Sequence, residues 1–185
     1  GKIGGARTGG AALIEGTSLV LDTTLHVPRL RSIVVARPRL MARLDEGCRG
    51  GLVVVSAPAG FGKTTVICDW VAACTRGDRD VGVAWLSLDE GDNDLARFLT
   101  YLLLAVRTTS SQVGEQMLDR LRSAQPVPSD EVLTALLSEV AELPHDVVLV
   151  LDDFYVIDSE EVDQAMVFLI EHLPPQLHVV IATRE

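Results

Sequence analysis

Between Gly51 and Thr65 the chain reads GLVVVSAPAGFGKTT, and no other stretch restricts its fold as strongly. A continuous β-branched run bounded by Gly and Pro predicts a buried strand. The pattern after Gly62 predicts a helix to about Cys74, closed by Gly77, so the strand must turn sharply into a helix start. Such a junction points several backbone N–H groups at one spot, where the helix dipole adds positive potential. Gly60 and Gly62 let the backbone bend around an anion with no side chain in the way. The stretch departs at one place from G-x-x-x-x-G-K-[ST], the phosphate-binding loop, because Ala57 stands in the first Gly position. Ala57 has barely left the strand, so a small residue serves there while its φ stays negative.

In this reading Ala59, Gly60, Phe61, Gly62, Lys63, Thr64 and Thr65 cradle the phosphates of ATP or ADP. Lys63 reaches the β- and γ-phosphates, and the hydroxyl of Thr64 ligates Mg²⁺. A second strand, DVVLVLDDF, ends in Asp152 and Asp153, and parallel sheets gather ligands at the carboxyl ends of their strands. Asp152 is a partner of Mg²⁺, directly or through water, and Asp153 is placed to polarise an attacking water. The closing stretch IATRE puts Thr183 and Arg184 at the end of another strand, with Arg184 positioned to contact a γ-phosphate and so tell ATP from ADP.

Aliphatic runs alternate with helical spacing from about Leu40 onward, which predicts an α/β domain with a parallel sheet. VGVAWLSL is a further buried strand, and PPQLHVVIATRE supplies the last. Leu95, Phe98, Leu99, Leu102, Leu103 and Val106 form one apolar helix face. Weaker periodicity predicts a helix over Glu115 to Ser123. Asp130 is expected to cap a helix bearing Val132, Leu133, Leu136, Leu137 and Val140. The next helix is expected to open at Asp158 or Ser159, with Glu161 returning a capping bond to Asp158, and to run to about His172. Residues 1–18 are Gly-rich and unpatterned, and read as a leader. Residues 19–45 form an N-terminal segment, and residues 46–185 form the core.

Composition excludes several functions. A formal net charge of -10 argues against this stretch gripping a nucleic-acid backbone. Cys48, Cys68 and Cys74 form no C-x-x-C and have no His at ligand spacing, so they read as reduced thiols. His26, His145, His172 and His178 show no mutual metal spacing. No apolar run is long enough for a membrane span, and a cytoplasmic setting is expected. The acidic DEGDND does not place a Gly and a distal Glu at the offsets of a calcium loop, and Asp92 to Asp94 are expected to cap the following helix.

ARPRL, SAPAGFGKTT, AWLSLDEGDNDLARFLTYLLLAV, LVLDDFYVID and FLIEHLPPQLHVVIATRE together resemble the NB-ARC/AAA-like ATPase domain of MalT-type large LuxR-family transcription regulators. These are signal-transducing P-loop ATPases of the STAND class. The resemblance covers about residues 22–185 and implies that Ala57 is how the family writes its loop. It implies an adenine-side segment with Val34, Val35 and Arg37, although Ala36 stands where many relatives have Gly. It carries Lys63, Thr64, Asp152, Asp153 and Arg184 onto phosphate, magnesium, water-activating and γ-sensing roles. Phe154-Tyr155 departs from the Tyr-His that relatives often have, so a sensing role of that His does not transfer.

The implied fold is a three-layer P-loop NTPase of the ASCE type, with strand order 1-4-3-2. A fifth strand beside strand 1 is expected to be missing, leaving LVVVS an unpaired edge. The implied activity is a slow ATPase used as a switch for self-association. Inducer and DNA would be bound by domains beyond this stretch. A P-loop kinase is the first rival, but no Arg-rich lid occurs between Leu86 and Asp146. An AAA-type remodelling ATPase is the second, with Arg120 and Arg122 as candidate fingers.

Overall fold

A computed structural model of the chain describes residues 24–28, 37–77, 80–123 and 127–184. Four strands, β1 (Leu52–Ser56), β2 (Val81–Ser87), β3 (Asp146–Asp152) and β4 (Leu177–Thr183), lie in the order β1-β4-β3-β2. Every pairing is parallel, as the sequence pattern predicts. Around the sheet lie α1 (Pro38–Cys48), α2 (Lys63–Arg76), α3 (Leu95–Arg107), α4 (Glu115–Arg122), α5 (Ser129–Ala141) and α6 (Glu160–Glu171). Two short 3₁₀ helices cover Glu90–Asn93 and Phe154–Val156. The leader over residues 1–18 lies outside the described residues.

The strand order dictates the layers. The chain crosses the whole sheet from β1 to β2, then returns stepwise through β3 to β4, and right-handed connections put helices of opposite travel on opposite faces. Accordingly, Trp85, Val148, Val150 and Val180 pack on one face with Leu44 of α1 and Ile67 and Trp70 of α2. The indole N–H of Trp70 donates to Asp45 at 2.8 Å, tying α2 to α1. On the other face Leu86, Leu149, Leu151 and Val179 pack against Phe98 and Leu102 of α3, Leu133 and Leu136 of α5, and Leu169 of α6.

β1 departs from the buried strand expected of it. Its outer side chains Val53 and Val55 pack under α1 and α2, but Val54 points to the face of α3 to α6 and is 56% exposed. Those helices cover the strands their connections span, and β1 is not among them. Among the described residues the ladder also leaves one edge of β1 without a partner strand. Val179 donates to Gly51 O at 2.7 Å and Ala57 to Thr183 O at 3.5 Å. With a two-residue period, the backbone groups of Leu52, Val54 and Ser56 therefore face away from β4.

Helix ends bear out some sequence signals and correct others. α1 was not anticipated, although Pro38 at its first turn is a favoured start. Asp130 does not cap α5: the helix starts at Ser129 after Pro128, and the Asp130 carboxylate accepts only from the adjoining Glu131 N–H. α6 is capped by Ser159, which accepts from Val162 N–H, and not by an Asp158–Glu161 pair. Gly77 does occupy the C-cap of α2.

Of the stretch Asp92 to Asp94 expected to cap the following helix, only Asp94 does so. Asp94 caps α3 by accepting from Arg97 N–H at 2.8 Å. Asp92 is fully buried, accepts from Asp89 N–H at 2.8 Å and from Arg97 Nε at 3.1 Å, and anchors the loop. Arg97 also binds both oxygens of Asp89, and it lies over the Tyr101 ring. Burial pushes the Asp92 carboxyl above the ordinary aspartate value, with its backbone bond and Arg97 pulling it back and the Asp89 charge adding to the rise. Asn93 reaches across to the loop after β3, donating to Val156 O at 3.0 Å and accepting from Asp158 N–H at 2.6 Å.

These contacts set three expectations, each measurable by urea denaturation. Leu149→Ala, at a fully buried position, should cost about 2–5 kcal/mol. Val54→Thr, on the open face, should stay within about 0.5 kcal/mol of the wild type. Arg97→Met should cost about 1.5–3 kcal/mol at neutral pH by removing a charged partner from a buried carboxylate. A carboxyl whose folded pKa is raised favours folding when protonated and loses that contribution as pH rises through the raised value. The Arg97→Met deficit should therefore shrink as pH falls toward the ordinary aspartate value of 3.8.

Candidate functional site

The loop between β1 and α2 is built by two glycines. Gly60 and Gly62 have φ of 80° and 79°, a left-handed backbone that side-chain-bearing residues adopt only with strain. Gly62 is the N-cap of α2 and no side chain caps that end, so the orphan N–H groups of the first turn remain available to an anion. Ala57 is not among the described residues with positive φ, and its N–H still donates into the sheet ladder, so the pattern's first Gly is not needed. Lys63 Nζ folds over the start of the loop, donating to Ala57 O at 2.6 Å and Pro58 O at 3.1 Å. Ala59, Gly60 and Phe61 are exposed, and Thr65 is half-buried in the first turn of α2.

Two motifs 88 residues apart meet beside this loop. Thr64 Oγ1 donates to the Asp152 carboxylate, 2.9 Å from one oxygen and 3.2 Å from the other. Asp152, the last residue of β3, is 3% exposed. Burial raises its pKa; the Thr64 bond opposes the rise, and the neighbouring Asp153 charge adds to it. Asp153 donates its N–H to Asp152 at 3.0 Å and takes a left-handed φ of 58°, a costly backbone for a residue with a side chain. A hydroxyl beside a buried carboxylate is a hard oxygen pair that suits Mg²⁺, which takes one or two protein oxygens and completes its shell from phosphate and water. Among the described residues no group of three His, Cys, Asp or Glu side chains could hold a metal by itself.

The remaining predicted residues divide. Arg184 follows Thr183, which pairs with Ser56 at the mouth of the loop, and its guanidinium lies over the Tyr155 ring. Arg37 Nη1 donates to Phe61 O at 3.4 Å, joining the start of α1 to the loop. Val34 and Val35 lie outside the described residues. A groove of about 530 Å³ runs along the free edge of β1 and is lined by Arg37, Leu40, Val54, Phe61 and Lys63. A second cavity, of about 510 Å³, lies at the amino ends of the strands, where Val81, Asp146 and His178 sit, and contains none of the motif residues.

Other candidates are committed elsewhere. Arg120 pairs with Glu131, and Arg122 with Asp119 at 3.7 Å, both on the exposed surface. Burial pushes the Cys48 thiol up to about 12, with the nearby Cys74 and Asp45 adding to it. Cys68 rises to about 11 through burial and the Asp152 charge, so neither thiol is activated. Sequence reasoning did not find Asn93 or the Tyr155 contact with Arg184. Among the described residues no helix is long and apolar enough to cross a membrane.

Comparison with known proteins agrees with this architecture. A family model described as AAA domain matches residues 24–166, which include the glycine loop and both Asp152 and Asp153. The HTH-type transcriptional regulators MalT of two Klebsiella pneumoniae strains and of Cronobacter sakazakii are each 31% identical over 166 residues, or 90% of this chain. The chain spans only 18% of the length of those relatives. With the loop, the Thr64–Asp152 pair and the β1-β4-β3-β2 sheet all in place, the chain belongs to the AAA domain family.

Proposed function

We propose that this chain is the ATP-reading switch domain of a longer cytoplasmic transcription regulator. The observation that carries the reading is the 2.9 Å bond between Thr64 and the buried Asp152 beside the left-handed glycine loop. It brings the two oxygen groups expected to hold Mg²⁺ to the spot where α2 presents its free N–H groups.

In this reading the first turn of α2 donates to the phosphates while Lys63 exchanges its carbonyl acceptors for phosphate oxygens. A charged acceptor makes the stronger bond, so the exchange favours binding. Magnesium bound with the nucleotide would neutralise charge on the β- and γ-phosphates. Thr64 and Asp152 hold that cation, and Asp153 orients the attacking water and accepts its proton. Arg184 donates to the terminal phosphate that ATP has and ADP lacks. Arg37 takes the adenine side, where the groove beside β1 that it lines has a volume suited to a ligand of this size, and Val34 and Val35 are assigned to the base by the resemblance alone.

The likeness to MalT supports a switch over a metabolic enzyme. ATP then favours the self-associating state by its differential affinity over ADP, and hydrolysis resets it. Inducer and DNA are contacted by other parts of the longer protein.

Isothermal calorimetry tests the binding half of this reading. Lys63→Ala should abolish detectable ATP binding, and an unchanged affinity would refute it. Steady-state hydrolysis tests the rest. Turnover should fall well below the roughly 10 s⁻¹ of a typical enzyme, whereas tens per second would favour a kinase or a motor. Asp153→Asn should slow hydrolysis by about 10²-fold or more while ATP affinity stays within about twofold.

A further inference from the structure

The Arg184 guanidinium carbon lies 3.7 Å from the centre of the Tyr155 ring. That is a stacking distance: an N–H pointed into the ring would hold the carbon farther off. A guanidinium lying flat on a ring keeps its N–H donors in its own plane, directed away from the aromatic face. Among the described residues no hydrogen bond or ion pair draws on Arg184, so those donors are unspent.

The ring is itself held in place. Tyr155 sits in the 3₁₀ turn Phe154–Val156, which follows the left-handed Asp153. Phe154 and Val156 pack on the core, and Asn93 grips the turn through Val156 O and Asp158 N–H. Tyr155 therefore presents a fixed platform, with its ring partly exposed, at the carboxyl ends of β3 and β4.

We propose that Tyr155 is a positioning residue, holding Arg184 beside the phosphate loop with its N–H donors free for the terminal phosphate of a nucleoside triphosphate. The inference rests on reading Arg184 as the γ-phosphate contact, and it explains how a long, exposed side chain is made ready for that contact. A free Arg samples many rotamers and loses that freedom when ATP binds. Stacking removes part of the loss beforehand. ADP offers Arg184 no terminal phosphate, so the benefit falls on ATP alone.

Affinities for ATP and ADP, measured calorimetrically with Mg²⁺ on the 185-residue chain, test this. Tyr155→Ala should lower the ratio of ATP to ADP affinity about two- to fivefold, the range of an exposed cation–π contact, with ADP affinity unchanged. Tyr155→Leu, which keeps bulk without a π face, should behave like Tyr155→Ala, and Tyr155→Phe should keep the wild-type ratio. Adding Tyr155→Ala to Arg184→Ala should cost nothing further. A wild-type ratio in Tyr155→Ala and Tyr155→Leu overturns the platform, as does an equal loss in Tyr155→Phe. If Arg184→Ala collapses the ratio while Tyr155→Ala leaves it intact, the platform alone fails. If Arg184→Ala leaves the ratio unchanged, the γ-phosphate reading of Arg184 fails and the platform fails with it.

Discussion

The bond from Thr64 to Asp152 joins the first turn of α2 to the last residue of β3. A hydroxyl in a helix start and a carboxylate at a strand end can meet only if β1 and β3 run parallel with their carboxyl ends level. The sheet meets that requirement by placing β4 between them, with Ser56 opposite Thr183 and Leu151 opposite Ile181. The apolar cores on the two faces hold this register. A slip of one residue would turn Asp152 into the face occupied by Leu149 and Leu151, and would bury a carboxylate among side chains with nothing to donate to it.

The same constraint explains why the acids lie where they do. Asp152 is buried with only the Thr64 hydroxyl and the Asp153 N–H donating to it, which costs stability that a hydrophobic residue would not cost. Asp153 adds a strained backbone and a second negative charge next to the first. Neither arrangement helps the chain fold, and local departures from low-energy structure concentrate where a ligand will use them. The acidic turn after β2 differs in kind. Its carboxylates are consumed by Arg97 and by backbone N–H groups, and its output is a brace, Asn93, against the turn that follows Asp153.

What could be read from the sequence follows from how local each signal is. The glycine loop, the aliphatic runs of β2 to β4 and the apolar face of α3 lie within single windows of chain, and each appears where expected. α1 escaped because Arg39, Arg43 and Arg49 gave its segment a basic character that masked the spacing of Met41, Leu44 and Cys48. β1 shows the limit of composition: a β-branched run identifies a strand, but not which of its faces a helix will cover. The contacts of Asn93 with Val156 and Asp158, some 65 residues away, leave no local trace at all. Cap residues failed more subtly, since several acidic side chains near one helix start compete and only packing decides which one turns inward.

Magnitudes constrain how such a site works as a switch. A charge-assisted hydrogen bond to a buried phosphate contributes about 1.5–3 kcal/mol, so the role proposed for Arg184 would give roughly a 10- to 150-fold preference for ATP over ADP. Moving a population from one in a hundred to ninety-nine in a hundred takes about 10⁴-fold, so one arginine falls short by two to three powers of ten. The shortfall must come from further contacts that differ between the two states. The self-association proposed for the longer protein would be one source, because contacts between copies add their differential energy to that of the nucleotide. On the proposed reading this arithmetic would let the nucleotide site bias assembly without dictating it, and a second input to the longer protein would be needed to complete the change of state.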